Sequence, residues 1–165
     1  MSGPNAPTGN RFSLHKRVLQ RLLQRQLLAA IWCAMPYTVA AQAAEIAVLG
    51  DGIAQPLAEP GDARRGRALL LARDPANCVL CHGLNDPAVR FSGNLAPPLD
   101  GAGSRLTAAQ LRLRVADSSR LNPDTIMPAY FKTEGLREVA SSYRGKPVLT
   151  PQQVEDLVVY LSTLR

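Results

Sequence analysis

Cys78-Val79-Leu80-Cys81-His82 is the stretch on which the reading of this chain turns. A C-x-x-C pair admits several chemistries: structural zinc, a thioredoxin-like dithiol, a disulfide staple, or thioether attachment of haem. Structural zinc needs four protein ligands, yet the only other histidine is His15 and the only other cysteine is Cys33, both far upstream. A redox dithiol should open a helix behind a strand, whereas Asp74-Pro75-Ala76-Asn77 reads as a turn that follows a helix. Thioether attachment gives all three residues a role, since each thiol adds to a vinyl group and the adjacent histidine is then held beside the iron. The expectation is one haem c, held covalently by Cys78 and Cys81, with His82 as the proximal iron ligand.

Downstream, the soft ligand that remains is Met127, the only methionine after the first 43 residues. It sits in Pro123-Asp124-Thr125-Ile126-Met127-Pro128-Ala129-Tyr130, where prolines restrict the backbone on both sides. A methionine can simply fill a core gap, but a restrained loop suits a thioether that must approach the iron from the face opposite His82. Met127 is therefore the distal candidate. His/Met ligation raises the haem potential and leaves no open iron position, which favours electron transfer over oxygen activation.

Upstream, Arg11, Lys16, Arg17, Arg21 and Arg25 precede the apolar run from Leu27 to Met35, and Ala41-Gln42-Ala43 follows as a small-x-small cleavage site. That order reads as a signal peptide, residues 1–43, cut near Ala43. A retained anchor helix is the competing reading, though the apolar run is short for a bilayer. Cys33 follows bulky Trp32 and leaves with the leader.

Export also explains the charge. The whole chain carries a formal +6, but five of its nineteen cations lie in the leader, and the remaining fourteen face thirteen acids. A mature charge of +1 gives no electrostatic case for nucleic acid. The expectation is a periplasmic protein without a membrane span once processed.

The mature chain suits one all-α domain of short helices around the haem, residues 61–165, preceded by an extension over 44–60. Asp62 can cap a first helix running to Arg73, with Gly66 and Leu70 on one face. Thr150-Pro151-Gln152-Gln153 combines an N-cap, a first-position proline and a capping-box glutamine. Val154, Leu157, Val158, Leu161 and Leu164 then form an apolar stripe. Gly66 lets a second backbone approach, so the terminal helices are expected to cross there, near Tyr160 or Leu161. Thr107 and Gln110 suggest a middle helix, although Leu111 to Val115 alternates as a strand would.

Gly93 to Gly103 should wrap one haem edge, and Pro97 or a neighbour should supply a carbonyl to the His82 ring. Arg105, Arg112 and Arg114 either face haem propionates or are solvated helix arginines. Glu134, Glu138, Glu155 and Asp156 read as surface charge. Tyr130, Phe131 and Tyr143 either serve a partner interface or pack inside.

With these motifs in place, the chain from about Gly61 to Leu164 resembles a class I cytochrome c. Gly103-Ser104-Arg105, Ala109-Gln110-Leu111-Arg112, Asn122 to Tyr130, Thr133-Glu134-Gly135-Leu136 and Gly145-Lys146-Pro147 further resemble the SoxX family, the monohaem subunits of SoxAX cytochrome complexes. The resemblance implies a heterodimer with a SoxA-type cytochrome that oxidatively couples thiosulfate to a cysteine of the SoxYZ carrier. SoxA would hold the substrate-processing haem of this L-cysteine S-thiosulfotransferase complex. The present chain would accept electrons and pass them to a small soluble cytochrome, with no catalytic residue of its own. A free-standing periplasmic monohaem carrier is the alternative, and a haem enzyme or gas sensor whose Met127 leaves the iron is a third possibility.

Overall fold

In a computed structural model, the structure describes residues 46–165; the leader and its cleavage site lie outside the described residues. Among the described residues four α-helices follow one another: α1 Ala63–Leu71, α2 Ala102–Arg105, α3 Ala108–Asp117 and α4 Pro151–Thr163. Single 3-10 turns occupy Cys78–Leu80, Ser118–Arg120 and Ser141–Tyr143. Extended pairing among the described residues is limited to isolated bridges, Leu49 with Gly52 and His82 with Ala96. The domain is all-α, as its helix signals indicate.

Those signals act locally. The Asp62 carboxylate accepts the Arg65 N–H at 2.8 Å and starts α1, and that bond holds its acid below the usual aspartate range. Complete capping boxes start α3 at Thr107 with Gln110 and α4 at Thr150 with Gln153. The caps decide the Leu111 to Val115 ambiguity for helix, because they satisfy amide donors that a helix start otherwise leaves unpaired.

Helices α1 and α4 cross at Gly66. A Cβ at that position would run into the Asp156 carbonyl and the Tyr160 side chain, so only glycine permits this approach. Around the crossing, Leu70, Leu149, Val154, Leu157 and Val158 are almost fully buried. Complete burial of such a side chain contributes roughly 1.5–3 kcal/mol each.

Glu155 and Asp156 overturn their reading as surface charge, for each is 4 % exposed. Arg65 grips Asp156 with two bonds of 2.7 Å, tying α1 to α4. Glu155 receives Arg112 from α3 at 2.6 and 2.8 Å, and both side chains are buried. Removing one member of such a pair would strand a charge in the core. The pairs fix which helix faces meet and hence where the intervening loops run.

Candidate functional site

The candidate site begins at the end of α1. Asn77 adopts a left-handed backbone, which asparagine tolerates better than most residues, and the chain turns directly into Cys78–Leu80. The His82 amide donates to the Cys78 carbonyl at 3.0 Å, closing the C-x-x-C-H segment on itself. The following loop runs alongside it. Gly93, Ala96 and Leu99 donate to the carbonyls of Val79, Cys81 and Gly83 at 2.9, 3.1 and 2.9 Å. At Gly93 a Cβ would collide with the Leu80 carbonyl, so glycine is what lets this loop lie so close.

This loop delivers the carbonyl of Pro97 to Nδ1 of His82 at 2.7 Å. A carbonyl only accepts, so Nδ1 carries the proton and Nε2 keeps its lone pair. The ring is thus held in the tautomer that ligates a metal through Nε2.

Arg105 braces the same loop, donating to the carbonyls of Asp100 at 2.7 Å and Pro98 at 3.0 Å. The Asp100 carboxylate in turn accepts the Asn85 amide at 3.1 Å. Of Arg105, Arg112 and Arg114, read as facing propionates or solvent, Arg105 is exposed, Arg114 is half-buried and Arg112 departs from that reading by being buried. Arg105 holds loop carbonyls, buried Arg112 is engaged by Glu155, and Arg114 donates to the Gln110 carbonyl one turn back at 3.0 Å.

The Cys78 thiol sits in an environment that disfavours its thiolate. Cys78 and Cys81 are free of each other, and burial pushes the Cys78 thiol up to about 11. A redox-active thiol is favoured by a depressed value, and the environment of Cys78 acts in the opposite sense. Zinc fares no better, since among the described residues no three His, Cys, Asp or Glu side chains converge.

Met127 is half-buried and packs, as Cys78 does, against the main core. Its arm is joined to the C-x-x-C-H side by Tyr130, whose buried hydroxyl donates to the Ala76 carbonyl at 2.7 Å. Burial pushes that phenol up to about 12, so it stays a donor. Tyr130 therefore packs inside, which removes it from the candidate interface; Phe131 and Tyr143 are half-buried. A 350 Å³ surface cleft is lined by Thr133, Leu136, Tyr143 and Arg144 among others, and none of the thiol, imidazole or thioether groups lines it.

The residues fit a covalently held haem: two free thiols, an imidazole fixed with Nε2 available, and a glycine-dependent loop packed tightly alongside. Comparison with known proteins gives the same answer. The Cytochrome c family profile matches residues 63–165. The chain belongs to the cytochrome c family.

Among solved structures, this cytochrome is similar to the crystal structure of SoxXA from P. pantotrophus, at 37 % identity and a TM-score of 0.67. The match covers 73 % of this chain and 94 % of that one. Comparison with curated proteins gives no match. The class I fold and SoxX type expected from the sequence are thus supported, and family membership implies covalently bound haem c. This is a SoxX-like electron-transfer cytochrome. Among the described residues no helix is long and apolar enough to cross a membrane.

What sequence reasoning missed is the bracing. Nothing local marks Arg105 as a clamp on two carbonyls or Tyr130 as a strut to Ala76. Only the preference of a buried tyrosine for a hydrogen-bond partner offered a hint.

Proposed function

We propose that this cytochrome carries one haem c on Cys78 and Cys81, with His82 and Met127 as the two iron ligands. We propose further that it is the electron-transfer subunit of a periplasmic SoxAX-type complex. That complex would oxidatively couple thiosulfate to a cysteine of the SoxYZ carrier. In this reading residues 1–43 are a cleaved leader, and the domain over 61–165 accepts electrons from a SoxA-type partner and passes them to a small soluble cytochrome.

The observation that carries the assignment of His82 is the 2.7 Å contact between its Nδ1 and the Pro97 carbonyl. It fixes the proton on the nitrogen that points away from any metal and raises the basicity of the other. Bound haem supplies a one-electron couple. The chain's own part is to hold the imidazole with one tautomer, to present a thioether on a proline-restricted arm, and to keep both in place through Arg105 and Tyr130. Saturated ligation suits a relay, because reorganisation is small when neither ligand leaves.

The complex is supported by the likeness to a SoxXA structure over nearly all of that chain. Periplasmic co-expression with a SoxA-type cytochrome tests it. A stable one-to-one complex whose His82/Met127 haem is reduced when thiosulfate and SoxYZ are added is the expected result. Isolation as a monomer that exchanges electrons without a partner would favour the free-standing carrier instead.

A further inference from the structure

Residues 46–60 do not trail from the domain; they form a strap across α3 and α4. The Ile53 amide donates to the Ala109 carbonyl at 3.0 Å, and Gln110 donates to Asp51 at 2.6 Å. More telling, the strap completes the buried Arg112–Glu155 pair. Arg112 donates to the Ile53 carbonyl at 2.7 Å, and Glu155 accepts the Leu57 amide at 2.9 Å. Lifting the strap would leave a buried guanidinium N–H and a buried carboxylate oxygen each short of a partner, which is costly away from water.

The strap also builds a second apolar cluster. Ile53, 2 % exposed, packs with Leu113 and Ala116 on α3, and Phe131 packs against the same group. Phe131 stands four residues beyond Met127. Its amide donates to the Ala116 carbonyl at 3.0 Å, and its ring also touches the main core. The neighbouring Tyr130 is anchored in that main core through Ala76. Before Met127 the bonds are only local: Thr125 to Asn122, Asp124 to Asn122, and the Met127 amide to the Thr125 hydroxyl at 3.2 Å. The arm is thus pinned just after Met127, by Tyr130 into the main core and by Phe131 against both clusters.

We propose that the strap, through Ile53 and Phe131, is a positioning element for Met127 that sets how readily its thioether leaves the iron. This rests on the reading of Met127 as a ligand. Opening of the arm is a local event whose free energy depends on the apolar contacts that hold it. A strap that packs with the cluster holding Phe131 raises that free energy.

The test uses ferric holoprotein with imidazole as an entering ligand, followed by its spectrum, and amide exchange at Phe131. Ile53→Ala should speed imidazole binding about ten-fold and accelerate Phe131 exchange, because local opening becomes easier. Ile53→Val, which leaves most of the side chain, should shift both readouts in the same direction by less and serves if the alanine variant does not fold. Arg65→Met, which breaks the tie between α1 and α4 and belongs to neither apolar cluster, is the control for general destabilisation and should leave the imidazole rate within about two-fold.

An unchanged rate in both Ile53 variants, or an equal acceleration in Arg65→Met, would overturn the role of the strap. If wild type already bound imidazole as fast as Met127→Ala, the ligand reading itself would fail and the strap proposal with it. Slow wild type, fast Met127→Ala and unmoved Ile53 variants would defeat the strap alone.

Discussion

The two segments that bring ligands to the proposed iron are held in contrasting ways. The segment carrying His82 is cross-linked along its length: successive backbone bonds join 79–83 to 93–99, and Arg105 and Asp100 brace the same loop. The segment carrying Met127 has only bonds to its own neighbours from Asn122 to Met127, then two strong anchors at Tyr130 and Phe131. One side is a lattice and the other a hinged arm. The difference teaches where this domain can yield: the imidazole is fixed by many bonds that fail together, whereas the thioether depends on a few contacts that can be loosened one at a time.

The strongest perturbation of that contrast is Arg112→Met. It leaves Glu155 buried without its partner and removes the donor to the Ile53 carbonyl, so unfolding stability should fall by about 3–5 kcal/mol. Denaturant titration measures this, and the companion variant Arg112→Met with Glu155→Leu should recover a large part of the loss. A loss shared equally between arm and lattice in amide exchange would erase the distinction between the two sides.

Tyr130→Phe is the next step down. It removes one donor and leaves the Ala76 carbonyl buried, a cost of about 1–3 kcal/mol read from the thermal midpoint, with exchange rising first around Met127. Arg105→Met acts on the opposite side. Its guanidinium sits at an exposed position, so stability should drop by only about 1 kcal/mol or less. The weaker Pro97 contact makes His82 a poorer electron donor, and voltammetry should show the potential rising.

The smallest effect is acid loosening of the ion pairs made by α1, with Asp156 on α4 and Asp86 in the loop after His82. Hydrogen bonds from Arg65 and Arg67 hold Asp156 and Asp86 below the ordinary aspartate value of 3.8. Depressed carboxylates stabilise the fold above that value, and the contribution is lost as pH falls through 3.8 toward the lower native values. Asp156→Asn should flatten this part of a stability-against-pH curve, while amide exchange of the Met127 arm keeps its wild-type pH dependence.

The starts of α1, α3 and α4 were legible because a cap is written within a few residues: Asp62, Thr107 and Thr150 each announce a helix and find their partner three positions on, whereas α2 follows Gly101 with no side-chain cap and was read as part of a loop. Gly66 was legible too, since a glycine inside a helix has few other uses. Pro97 could be named from loop position. The buried acids could not. Glu155 and Asp156 stand beside an apolar stripe as solvated residues would, and their partners Arg112 and Arg65 lie 43 and 91 residues away. Pairing at that range is decided by how helices cross, and local pattern carries no record of it. The same holds for Arg105, whose partners are backbone carbonyls that any sequence would offer.

The visible spectrum of the periplasmically expressed ferric protein tests the central claim most directly, taken native and after denaturation alongside Cys81→Ser and Met127→Ala. Haem that stays with the denatured chain, together with a methionine-to-iron band at the red end that disappears only in Met127→Ala among folded variants, is the predicted result. Haem lost on denaturation, or a red band that survives in Met127→Ala, would contradict the assignment of Cys78, Cys81, His82 and Met127.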